Sequence, residues 1–143
     1  MMLRFSIILA IAVVVGLSQP NAPTPGIVND VDFCTVVKSP AKYDRQTIST
    51  KGVLLPGEHS VSFYDPACVP SEANRVGAQG VLEASATPTG LVKKLRRLFR
   101  RQSAAMVEAE GVFYSNGGPF GADAASFRFV IKQLRSVEKE FPG

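Results

Sequence analysis

Histidine and cysteine are scarce in this chain: one His and two Cys stand among 143 residues. Two distant cysteines and one histidine do not make the ligand set of a structural zinc site, and the absence of a C-x-x-C pair leaves no dithiol redox motif. A Ser-His-Asp or Cys-His centre would have to be built around His59, which sits in "PGEH", a predicted turn, with Glu58 beside it and no nucleophile motif nearby. An exposed turn histidine is the simpler reading. Gly117-Gly118 is followed by Pro-Phe rather than Gly-Lys-Ser, so it marks a flexible loop and not a phosphate cradle. Glu108 and Glu110 lie two apart, the spacing that strand alternation gives any solvated face, and they read as that face rather than as an acid pair. No catalytic residue, metal ligand set or cofactor motif is therefore assigned, and a non-enzymatic protein is the first expectation.

Apolar runs of membrane-spanning length are missing as well. The longest uncharged, mainly apolar stretch runs from Phe5 to Leu17, 13 residues after Arg4. A transmembrane helix needs about 20 such residues, whereas a secretory signal core takes roughly 7 to 15. Residues 1–18 thus read as a signal peptide, with Gly16 and Ser18 as the small residues before a cut at Gln19. An uncleaved amino-terminal anchor is the alternative, and on either reading the domain is exported, to the periplasm or beyond. Removing one Arg lowers the formal charge from +4 to 4 − 1 = +3. Residues 19–28, which include "QPNAPTPG", have the composition of a tether, leaving 29–141 as one domain of a chain that is 45% hydrophobic over its full length.

Within that domain, Asp30 or Asp32 caps a short helical piece from Phe33 to Val37, and Ser39-Pro40 starts a second one through Tyr43. "QTISTKGVLL" alternates as a strand with Ile48, Thr50, Gly52 and Leu54 on one side, the glycine marking a bend. After the turn, Val61, Phe63 and Tyr64 form a second strand, and a weaker third is placed at residues 76–83. Thr87-Pro88 is read as the cap of a helix reaching Arg101, with Leu91, Val92, Leu95, Leu98 and Phe99 in an arc of roughly 120° and cations opposite. "AAMVEAEGVFY" is a fourth strand with Val107, Ala109, Gly111 and Phe113 on one face. After a turn-rich loop at 115–126, a fifth strand has Phe127, Phe129 and Ile131 on one side. Three strands, a helix and two strands, behind a helical preface, are the order of an OB-fold: an all-β, five-stranded Greek-key barrel with a capping helix. A different α+β sheet with a helix across it is the rival.

The stretches "FCTVVKSPAKYDRQTISTKGVLL" and "HSVSFYDPAC" also resemble small secreted bacterial proteins of unassigned function and OB-like fold. The matching positions are Cys34, Pro40, Tyr43, Asp44, Gly52, Asp65 and Cys68, and together they cover about a quarter of the chain. The pattern departs at Arg45, where those proteins carry Gly after Tyr-Asp. The resemblance implies export and fold, and no activity. In an oxidising compartment Cys34 and Cys68 are expected to join, tying the preface to the end of the second strand.

Function then rests on two surfaces. The face where OB-folds bind would present His59, Phe63, Tyr64 and Phe120, although an aromatic in the second strand is equally a core residue. The helix from Leu91 to Arg101 carries Lys93, Lys94, Arg96, Arg97, Arg100 and Arg101, six cations that could meet an anionic membrane surface or an envelope polyanion, or could simply solvate a helix face. Export argues against nucleic acid. An enzyme with a site lacking any familiar motif is the remaining alternative.

Overall fold

A computed structural model describes residues 28–68, 77–83, 86–121 and 124–140; the predicted signal segment 1–18 and residues 19–27 of the predicted tether lie outside the described residues. The elements run β1 (Asn29–Asp30), α1 (Phe33–Lys38), α2 (Pro40–Tyr43), β2 (Thr47–Pro56), β3 (Val61–Tyr64), a 3-10 turn (Pro66–Cys68), β4 (Ala78–Leu82), α3 (Thr89–Arg100), β5 (Ala105–Tyr114) and β6 (Phe127–Lys139). Strands β2, β3, β4, β6 and β5 follow one another around a sheet that the β2–β5 pairing closes, with β4 and β6 parallel. This is the predicted OB-like barrel with its helix between the third and fourth barrel strands, and it excludes the rival open sheet. β1 is an addition: its two residues pair in parallel with Ile48 and Ser49, outside the barrel.

Closure requires strands to bend and approach closely, and two glycines permit it. A Cβ on Gly52 would lie 2.5 Å from the Phe63 ring and 2.9 Å from the Tyr64 carbonyl oxygen, and one on Gly111 would collide with the Val130 carbonyl. In β6 the pairing with β5 skips Lys132 and Arg135, two bulges that change which residues face inward. Phe129 and Ile131 are therefore followed in the core by Leu134 and Val137, a switch that simple alternation does not anticipate. The displaced cations point outward and pair with Glu83 and Glu110.

The interior is built on four fully buried phenylalanines. Phe33 of α1 meets Phe63 edge-on at 4.9 Å between ring centroids and Phe113 at 6.3 Å, and Phe63 meets Phe129 at 4.9 Å. Such edge-to-face pairs add to the burial of the rings themselves. The preface is thus part of the core rather than an appendage.

Asp32 is the cap of α1: its carboxylate accepts the Thr35 N–H at 2.9 Å and the Thr35 hydroxyl at 2.6 Å, and these bonds hold its pKa below the usual value. The Cys34–Cys68 disulfide then joins α1 to the turn after β3. Its 34-residue separation gives roughly 4 kcal/mol of stabilisation on the chain-entropy account. At the exit of α2, buried Asp44 accepts the backbone N–H groups of Ser115 at 2.8 Å and Asn116 at 3.3 Å and the Asn116 side-chain amide at 3.3 Å. Burial alone would push this carboxyl up, but the hydrogen bonds outweigh it and the net shift is downward. Arg45 follows with φ of 58°, the left-handed region that favours glycine, and its N–H reaches the Phe113 carbonyl at 2.6 Å. The glycine of the resembled pattern falls at this same position.

α3 rests on the barrel through Leu95, only 4% exposed, with Leu91, Leu98 and Phe99 half-buried beside it. Its start differs from expectation. Pro88 occupies the cap position and supplies no side-chain bond, while the Thr87 hydroxyl accepts the Leu134 N–H at 2.9 Å instead. Thr87 therefore ties the approach of α3 to β6, because the β6 bulges leave the Leu134 N–H available to it.

Candidate functional site

Alternation along β3 puts Phe63 inside the barrel with no exposed surface, and Tyr64 is buried as well. Phe120 is brought back over the sheet by paired backbone bonds with Ala125 at 2.8 and 3.0 Å. Once there, its ring is covered by the Arg128 guanidinium, 4.5 Å from the centroid, and Arg128 Nε donates to Gln79 Oε1 at 2.9 Å. The three aromatics expected on the binding face of an OB-fold therefore form no stacking platform: one is core, one is buried beside it and one carries its own cation. His59 projects from the β2–β3 turn with 71% of its side chain exposed, 3.7 Å from Glu58.

One cluster with metal-compatible spacing occurs among the described residues: Cys34, Asp65 and Cys68. Its sulfurs are already bonded to each other, and the 3.6 Å approach of Asp65 Oδ2 to Cys34 Sγ joins two atoms that both lack hydrogen. Asp65 is occupied otherwise, accepting the Ala67 N–H at 2.9 Å to begin the 3-10 turn. A cleft of about 330 Å³ beside β1 gathers Asp30, Asp32, Asp65 and Glu108 around Lys51. Asp32 and Asp65 serve there as caps. Those two carboxylates are explained by local structure.

On the cationic face of α3 local structure accounts only for the cations of the last turn. The helix contains no acidic residue, and among the described residues Lys94 alone of its cations is paired, to Glu138 at 3.0 Å. Lys93, Arg96, Arg97, Arg100 and Arg101 have no ion-pair partner among the described residues and stand exposed. Arg97, Arg100 and Arg101 gather at the carboxyl end of the helix, where the dipole favours positive charge. The face is rigidly presented, since the opposite arc is seated on the barrel through Leu95.

Two concavities border this face. One, of about 590 Å³, is lined by Lys93, Arg96, Phe99 and Arg100. The other, of about 390 Å³, is lined by Pro56, Gly57, Glu58, Phe99 and Gln102. Phe99 belongs to both. The charge row was legible in the sequence; the second groove was not, because it forms where the β2–β3 turn comes against the end of a helix more than forty residues later. Comparison with protein-family models, with curated proteins and with solved structures found no match to this chain.

Proposed function

We propose that the protein is an exported, non-enzymatic binding module that docks an anionic partner on the outer face of α3. The observation that carries this reading is the row of Lys93, Arg96, Arg97 and Arg100, with Arg101 at the cap, that has no ion-pair partner among the described residues and stands on a helix whose apolar arc is fixed to the barrel. A solvated helix face would ordinarily mix charges of both signs, and this one does not. Export is supported by the apolar segment Phe5 to Leu17 and by the disulfide, a bond that persists in oxidising compartments.

Retention of the purified protein on immobilised heparin tests the docking face. Wild type is expected to bind at low salt and to weaken toward 0.15 M, where screening acts over about 8 Å. Changing Lys93, Arg96, Arg97 and Arg100 together to Gln should abolish retention while leaving the melting temperature nearly unchanged, since these side chains are exposed. Equal retention of both proteins would refute the proposal. Intact mass of protein taken from its natural envelope fraction checks the rest: a chain beginning at Gln19, about 2 Da lighter than its reduced form.

A further inference from the structure

We propose that the anionic partner is an acidic oligosaccharide, laid across the Phe99 ring with its charged groups on α3 and its hydroxyls toward the β2–β3 turn. This inference rests on the reading of α3 as the docking face and adds the chemistry of what docks there.

Three observations carry it. Phe99, half-buried and packed against the core, lines both concavities, so a ligand that occupies both lies against the part of it that remains exposed. The two sides differ in chemistry. Lys93, Arg96 and Arg100 supply positive charge on one side; Gln102 and Glu58 supply neutral and anionic hydrogen-bonding groups on the other. A carboxylate or sulfate suits the first set, and sugar hydroxyls, which both donate and accept, suit the second. The C–H face of a pyranose ring suits the aromatic between them.

Scale agrees with this assignment. Lys93 to Arg100 spans about 10 Å at 1.5 Å per residue, a row matched to a disaccharide repeat rather than to a single ion. A bilayer is the poorer partner, because a helix that lies in a membrane surface inserts its apolar face. Here that face is spent on the barrel, where Leu95 is buried and Leu91, Leu98 and Phe99 pack against the core.

The experiment measures affinity of the full mature chain for five probes at one salt concentration. They are a heparin-derived hexasaccharide, a hexamer of polygalacturonate, neutral maltohexaose, a thymidylate hexamer and phosphatidylglycerol vesicles. The two acidic hexasaccharides are expected to bind and maltohexaose is not. Phe99→Ala should weaken the acidic sugars by about tenfold, the scale of one lost ring contact, and leave vesicle retention unchanged. The four-fold Gln variant should lose all anionic probes. Sugar affinity that is indifferent to Phe99→Ala, or tighter binding of vesicles or thymidylate than of the acidic sugars, would overturn the glycan assignment and leave the docking face standing. Indifference of every probe to the four-fold variant would overturn the docking face itself. Should Phe99→Ala not fold, Phe99→Leu keeps most of the packing without the ring and is read by the same criteria. On the wild type, magnetisation transfer from aromatic protons to the pyranose protons of the bound hexasaccharide is expected, and its absence would equally sink the assignment.

Discussion

The barrel is flanked by helix where β2 enters and where β5 begins, and the two attachments are made by different means. At the first, α1 and α2 are held covalently through Cys34–Cys68, by the fully buried Phe33, and by Asp44 bridging to Ser115 and Asn116. At the second, α3 has no covalent tie and a single buried side chain, Leu95, with a strongly charged outer surface. The difference separates two jobs. At the preface the carboxylates of Asp32 and Asp44 and both cysteines are engaged within the fold, whereas α3 is attached by one apolar arc and its other face carries charge. The binding surface is therefore expected at the less tightly held end.

The hardest test of that contrast is Leu95→Asp. It would place an unpaired carboxylate in the core, which a small domain does not tolerate, and no cooperative folding transition is expected by circular dichroism. A stable, folded variant would mean that α3 does not depend on this contact.

Cys34→Ser tests the other end. Loss of the disulfide should lower stability by about 2 to 5 kcal/mol in denaturant titration, and heparin retention of the fraction that remains folded should not change. Loss of binding in a folded Cys34→Ser protein would show that the two ends are not independent.

A smaller effect comes from Asp44. Its folded pKa lies below the unfolded value of 3.8, so the charged carboxylate contributes stability that is complete above about pH 5 and is lost as pH falls past 3.8 through the lowered folded value. Asp44→Asn should cost about 1 kcal/mol at neutral pH and flatten the acid side of the melting-temperature profile. An unchanged acid slope would assign that sensitivity to other carboxyls, with the capping Asp32 first among them.

The smallest is Arg45→Gly, which removes the left-handed strain at φ 58° but loosens the unfolded chain. A net gain of about 0.5 kcal/mol is expected, since left-handed strain of roughly 1 kcal/mol slightly exceeds the entropy that glycine adds. A measurable loss of stability would mean that the Arg45 side chain itself holds the turn.

Much of the architecture was readable from residues alone, for a local reason. A strand buries every second residue and a helix every third or fourth, so Ile48 to Leu54, Val107 to Phe113 and Leu91 to Phe99 each announced their element and their inward face. Gly52 announced a bend, and the cysteines flanking the first strand pair announced the staple. The charge row on α3 was visible for the same reason, because all its members lie on one short helix.

Other features depend on which distant neighbour covers a side chain, and periodicity carries no record of that. Two residues of β1 are too few for any pattern; their pairing exists because β2 offers Ile48 and Ser49 an open edge. The bulges at Lys132 and Arg135 arise from closing β6 against β5. Phe120 looked available, but Arg128, held by Gln79, lies over its ring. Sequence by itself thus determined the elements, their inward faces and the cationic helix, while only the tertiary structure decided which aromatics are covered and that Phe99 lines two grooves, because barrel closure brings together surfaces that are remote along the chain.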